Sequence, residues 1–130
     1  ADLFAKGDPF GGMILDQIGT LAVELLMKRV FETARSYAAE RNMKVSLPFS
    51  PGESPLWKLG DQKVIFSRLP AHLIGVSLSD TNLMRPVKST SLLIGMGEHL
   101  PDPPLDPCKF CPVQKTCQYR KERFLGYQVA

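Results

Sequence analysis

All three cysteines of this 130-residue chain, Cys108, Cys111 and Cys117, fall within ten consecutive positions in a C-x2-C-x5-C arrangement. Two thiolates separated by two residues can reach one metal ion, and a third six positions on closes a compact knuckle around it. Zinc would take a fourth ligand, for which His99, nine residues ahead of Cys108, is the nearer of the two histidines; His72 is the distant one. An iron–sulfur cluster normally takes four cysteines, so three would leave one iron for another ligand or for a partner. The Cys111-Pro112 pair is like the cysteine–proline pairs of ferredoxin-type sites. An odd cysteine count disfavours a disulfide framework. Iron–sulfur cluster, zinc and metal-free thiols all stay open, and Lys109, Lys115, Arg120, Lys121 and Arg123 in the same segment would attract an acidic partner surface.

The cysteine segment is set off from what precedes it. Four prolines between Leu100 and Pro107 cannot continue a helix or a central strand and read as a linker. This divides the chain into a domain at 1–99 and a linker with a metal-binding tail at 100–130. Within the domain, Ile14, Ile18, Leu21, Ala22, Leu25, Val30, Ala34 and Ala38 recur at helical spacing, which predicts an amphipathic helix from Met13 to about Arg41, with Asp8-Pro9 as N-cap and first position. Such a helix, roughly 43 Å long, would be the spine of the fold. A short strand is expected over Lys44–Leu47, then the turn-rich Pro48–Pro55 segment. A second helix is expected from a Ser54 cap and Pro55 through Leu56, Leu59, Ile65 and Leu69, ended by Pro70. Two further strands, Leu73–Ser79 and about Ser89–Met96, are expected to pair antiparallel. The predicted class is α+β: a long N-terminal helix and a shorter one packed on a small curved antiparallel sheet, with an irregular cysteine-containing tail.

Several segments occur in a telling order. Ser50-Pro51-Gly52 is followed by Pro55-Leu56, by Ile74 through Pro86 containing Ser77-Leu78-Ser79-Asp80-Thr81-Asn82-Leu83-Met84, and by Lys88-Ser89-Thr90-Ser91; ahead of them stands Leu15-Asp16-Gln17-Ile18-Gly19 through Ala22-Val23-Glu24. Over most of Leu15–Gly97 this resembles the activation domain of cobalamin-dependent methionine synthase, particularly its stand-alone relatives in anaerobes. The resemblance implies a module that binds S-adenosylmethionine, docks on a corrinoid-binding protein or methyltransferase, and assists reductive methylation of the cobalamin that the partner carries, as an accessory and not an autonomous enzyme. It implies Glu24, Ser50, Pro51, Gly52, Asp80 and Ser91 as ligand-binding positions, and a family helix buried where Leu15–Glu24 stands. It also implies further structure ahead of the long helix, so that this chain would be shortened. Stand-alone relatives often end in a similar three-cysteine tail, where a cluster would serve electron delivery. Departures are specific: Pro48 stands where the family has its carboxylate-binding arginine, Glu53 where it has tyrosine, and Ser89-Thr90-Ser91-Leu92 where it has S-V-S-G. The kinship calls for the Leu73–Ser79 strand to be joined in one sheet to Ser89–Met96.

Composition sets outer limits. Sixteen basic against thirteen acidic side chains give a net charge of +3, too slight to make nucleic acid the main partner, although the basic tail could contact it in a zinc-stabilised module. No uninterrupted apolar run approaches the roughly 20 residues of a membrane span, and the N-terminus has no secretory pattern, so a cytoplasmic, membrane-free protein is expected. No nucleophile elbow, protease-type cysteine–histidine pair or phosphate-cradling glycine loop appears. Plain readings stand beside the functional ones: Glu24 as a solvated face residue, Gly19 and Gly75 as sites of close helix–sheet packing, Trp57 as a half-buried anchor and not a cover for a corrinoid edge, and Asp80-Thr81-Asn82 as a turn.

Overall fold

The structure of the protein, a computed structural model, describes residues 2–53, 57–101 and 113–117. Its class is α+β, with a long N-terminal helix, a shorter helix and small antiparallel sheets.

A one-turn helix α1 (Asp2–Ala5) ends at Gly7, whose φ of 77° lets the Asp8 N–H return to the Leu3 carbonyl at 2.9 Å. The 31-residue helix α2 (Pro9–Ala39) starts at once, with the Asp8 carboxylate accepting from the Gly11 N–H at 2.9 Å and Pro9 occupying a position where no N–H is needed. Its other end is a Schellman motif. Asn42 takes φ 54°, the Met43 N–H bonds the Ala38 carbonyl and the Asn42 N–H bonds that of Ala39. This reversal delivers the chain back onto the helix, so that Phe31, Ala38 and Val45 form the core cluster, flanked by Met43, Leu47 and Ile94.

Strand β1 (Lys44–Val45) pairs antiparallel with β4 (Met96–Gly97), Lys44 opposite Gly97 and Val45 opposite Met96. The ribbon continues irregularly: the Ser46 N–H bonds the Gly95 carbonyl, the Ser46 hydroxyl accepts from the Gly95 N–H at 2.8 Å, and Phe49 and Leu93 exchange both backbone bonds. Between these pairs Leu47 and Pro48 stand against Ile94 alone, a one-residue bulge that suits a proline with no N–H to place.

Further along, residues Leu59–Asp61 form a 3-10 turn leading into α3 (Gln62–Arg68), and the Lys58 N–H is capped by the Asp61 carboxylate at 3.2 Å. The second helix therefore begins later than the Ser54-Pro55 signal predicts. Ser54–Leu56 lie outside the described residues, and Trp57 is already extended. The predicted end holds: Leu69 is extended ahead of Pro70, as the residue before a proline should be.

The expected pairing of Leu73–Ser79 with Ser89–Met96 is not made among the described residues. Ala71–Ile74 is a 3-10 turn closed by Gly75 at φ 71°, and only β2 (Ser77–Leu78) remains extended, pairing with β3 (Met84–Arg85). Local closure prevails because Ser79–Asn82 is a turn and Asn82, at φ 62°, fills the left-handed position of a three-residue hairpin loop, with the Ser79 N–H on the Leu83 carbonyl at 2.9 Å. Among the described residues the single curved sheet of the sequence reading is thus two separate two-stranded sheets. Gly75 ends a helical turn and has nothing within 4 Å of where a Cβ would stand, so close packing is not its role.

Candidate functional site

The Ser50-Pro51-Gly52-Glu53 sequence builds a type II turn, proline then glycine at its two corners. Gly52 has φ 84° and the Glu53 N–H returns to the Ser50 carbonyl at 3.1 Å. The Glu53 carboxylate accepts from the Ser50 N–H at 3.1 Å, and the Gly52 N–H bonds the Trp57 carbonyl at 2.9 Å. Phe49 and half-buried Trp57 stack 5.8 Å apart and 9° from parallel, clamping the base of the loop. Trp57 is therefore an anchor and does not stand free to cover a ligand.

Beside this loop sits a polar side chain that nothing in its sequence context singles out. Gln62, 3% exposed, donates from Nε2 to the Asn82 carbonyl at 3.3 Å and accepts at Oε1 from the Ser91 hydroxyl at 3.4 Å. One amide thereby ties α3 to the hairpin loop and to the segment leading into Leu93. Leu93 pairs with Phe49, and Leu59, just ahead of α3, faces Gly52, with its Cδ1 3.3 Å from where a Cβ would stand. Five of the six expected ligand positions are drawn into this neighbourhood. Ser50, Pro51 and Gly52 form the turn, Ser91 touches Gln62, and exposed Asp80 lies in the hairpin loop whose Asn82 carbonyl Gln62 holds. Within that loop the Ser79 hydroxyl accepts from the Leu83 N–H and lies 3.0 Å from the Thr81 hydroxyl, while Asn82 Oδ1 is buried without a partner among the described residues.

Glu24 is not part of the group. It is exposed on α2 and makes no hydrogen bond or ion pair among the described residues, in keeping with a solvated face. Gly19 has the packing role expected of it, but against a side chain: a Cβ there would stand 3.2 Å from Lys88 Cγ, and Lys88 reaches across α2 to Asp16 Oδ2 at 3.0 Å and Thr20 Oγ1 at 2.8 Å. The helix that the family resemblance implies to be buried is bare over much of its length, with Ile14, Leu15, Ile18, Leu21, Leu25 and Leu26 all exposed. By length and composition α2 could also cross a membrane, one 18-residue window having mean hydropathy 1.4, a property shared by core helices and signal sequences.

None of Glu24, Ser50, Pro51, Gly52, Asp80 and Ser91 carries positive charge, and Pro48 occupies the bulge where the family has arginine. Of the five gathered positions only Asp80 is charged, so they offer no cation to a carboxylate. Of the expected metal ligands, Cys108 and Cys111 lie outside the described residues. His99 is exposed, and Cys117 is half-buried at the end of a tight turn in which its N–H and that of Thr116 both return to the Val113 carbonyl. Among the described residues no three metal-ligating side chains come together. Comparison of the chain with protein-family models, with curated proteins and with solved structures gave no match.

Proposed function

We propose that this chain is an accessory module that docks on a corrinoid-carrying methyltransferase and assists reductive methylation of its cobalamin with S-adenosylmethionine. The observation that carries the reading is that the Asp80–Asn82 loop and Ser91 are both tied to buried Gln62, with the Ser50–Gly52 turn joined to them through Leu59 and the Phe49–Leu93 pair, segments whose order along the chain is that of the activation domain. Against it stand the strand pairing that the kinship calls for, which is not made, and the missing cation for the ligand's carboxylate. When bound, S-adenosylmethionine supplies the methyl group that a reduced corrinoid accepts; the residues of this chain would hold and orient it. Gly52 exposes backbone at the turn, and Asp80 offers negative charge to a sulfonium.

Two measurements separate the halves of the proposal. Purified chain titrated with a corrinoid protein should form a complex detectable by calorimetry, and millimolar S-adenosylmethionine should raise its melting temperature. An unchanged melting temperature removes the ligand half, and absence of a complex with corrinoid proteins removes the docking half.

A second reading, an iron–sulfur electron-transfer or zinc-stabilised tail, is favoured by the turn that folds Val113 back on Cys117. Metal analysis of anaerobically prepared protein decides it: iron with broad visible absorption supports a cluster, stoichiometric zinc supports a closed structural site, and neither leaves free thiols.

A further inference from the structure

Most apolar side chains of α2 fall on two opposed faces, with exposed Met13, Leu26 and Val30 outside the stripe. One face meets the rest of the chain, with Gly12, Phe31 and Ala38 buried and Gly19 under Lys88. The other carries Phe10, Ile14, Leu15, Ile18, Leu21 and Leu25, which are between 45% and 73% exposed. Ile14, Ile18, Leu21 and Leu25 are spaced four, three and four residues apart, a spacing that fits the seam of a coiled coil as it fits any apolar helix stripe. If Ile18 and Leu25 take the a position, Ile14 and Leu21 take d, and the flanking positions are then defined.

Those flanks complement a second copy of the same helix. In a parallel pair each g residue meets the e residue five positions later on the partner. Phe10 at g then faces Leu15 at e, and Glu24 at g faces Arg29 at e, each contact occurring twice by symmetry. Phe10 and Leu15, otherwise two large apolar side chains in water, become each other's cover. Lys28 at the next d position ends the apolar seam, so the paired segment is about 20 residues, or roughly 30 Å.

An anionic lipid surface on which the helix would lie flat fits less well. Between Pro9 and Met27 the helix has Asp16 and Glu24 and no basic side chain, whereas helices that lie on anionic membranes are rich in lysine and arginine on their polar face.

We propose that the exposed stripe of α2 is the seam of a parallel two-stranded coiled coil between two copies of this chain. The stripe lies opposite the Lys88 side of the helix, so pairing leaves the Gln62 neighbourhood uncovered, and the proposal does not depend on the corrinoid reading.

Sedimentation equilibrium of the full chain, from micromolar to near-millimolar concentration, should show a reversible monomer–dimer equilibrium. Leu21→Lys, on a side chain already in water in the single chain, should weaken it at least about tenfold while leaving the circular dichroism of the monomer unchanged. Val87→Lys, on a still barer residue outside the seam, should leave it intact. Glu24→Arg should weaken association by placing like charges across the seam, and Glu24→Arg combined with Arg29→Glu should restore it. A single-chain mass at every concentration overturns the proposal. So does loss of the dimer in Val87→Lys but not in Leu21→Lys. Failure of the charge exchange to restore association overturns the parallel register. Monomeric chain that instead co-sediments with phosphatidylcholine–phosphatidylglycerol vesicles assigns the stripe to lipid and overturns the proposal as well.

Discussion

Replacing Gln62 tests whether one amide holds the candidate site together. In Gln62→Leu the volume is nearly kept and the two hydrogen bonds, to the Asn82 carbonyl at 3.3 Å and from the Ser91 hydroxyl at 3.4 Å, are lost. Both are long, so each contributes about 0.5–1 kcal/mol, and Ser91, only half-buried, can turn to water; a loss of about 1–2 kcal/mol is expected. Gln62→Glu is harsher, because it points a carboxylate at a carbonyl oxygen in a site 3% exposed. Burial there raises the folded-state pKa of the introduced acid above its unfolded value of about 4.3. Such a group does no harm below the unfolded pKa, where it is protonated in both states and can donate to Asn82 as the amide did. The deficit opens as pH rises past about 4.3 and is complete above the raised folded pKa. Urea unfolding of wild type, Gln62→Leu and Gln62→Glu at pH values spanning about 4 to 8 reads this out. A Gln62→Glu deficit that does not change with pH, or a Gln62→Leu protein as stable as wild type, would show that the amide is not the tie the geometry makes it.

Other expectations follow from the same contacts. Gly52→Ala and Gly75→Ala both force an L side chain to positive φ and should each cost about 1–2 kcal/mol; only the first also presses on Leu59, so Gly52→Ala should be the worse in urea melts and should alone disturb the near-ultraviolet signal of Trp57. Gly19→Ala relieves a helical glycine by roughly 1 kcal/mol but pushes on Lys88, whose ion pair with Asp16 is exposed and weak. Net stabilisation is expected, and it should grow when Lys88→Ala removes the obstacle. Asp8→Ala should cost about 1 kcal/mol through loss of the α2 cap, measured by thermal unfolding. Gly11→Ala should gain little despite the better helix former, since the added methyl would collide with the Asp8 carboxylate that makes this cap.

What the sequence disclosed and what it hid follow from the range of the interactions involved. Asp8-Pro9 gave the start of α2 and Pro70 the end of α3, because capping and proline sterics act over one or two residues. The Ser50-Pro51-Gly52 turn was equally local. The strand pairing was not: Leu73–Ser79 reads as extended, yet Gly75 and Asn82 supply two left-handed positions that let the segment close on itself as a 3-10 turn and a hairpin. Asn82 between Thr81 and Leu83 was the available signal. The gathering of the site depends on Gln62, a residue type common on solvated helix faces, and no spacing rule distinguishes a buried glutamine from an exposed one. Likewise, the apolar periodicity of α2 announced a helix without saying which of its faces the rest of the chain would cover.

The extra residue at Leu47-Pro48 has an effect out of proportion to its size. Side chains alternate along an extended chain, and a bulge sets two residues against one so that the alternation beyond it stays in step with the partner strand. Val45 belongs to the core cluster on the long helix, whereas Phe49, four positions on and by count alone on the same side, stands opposite Leu93 and stacks on the Trp57 ring. The bulge thus lies where the segment passes from one set of neighbours to the other, the long helix before it and the proline–glycine corner with its Trp57 clamp after it.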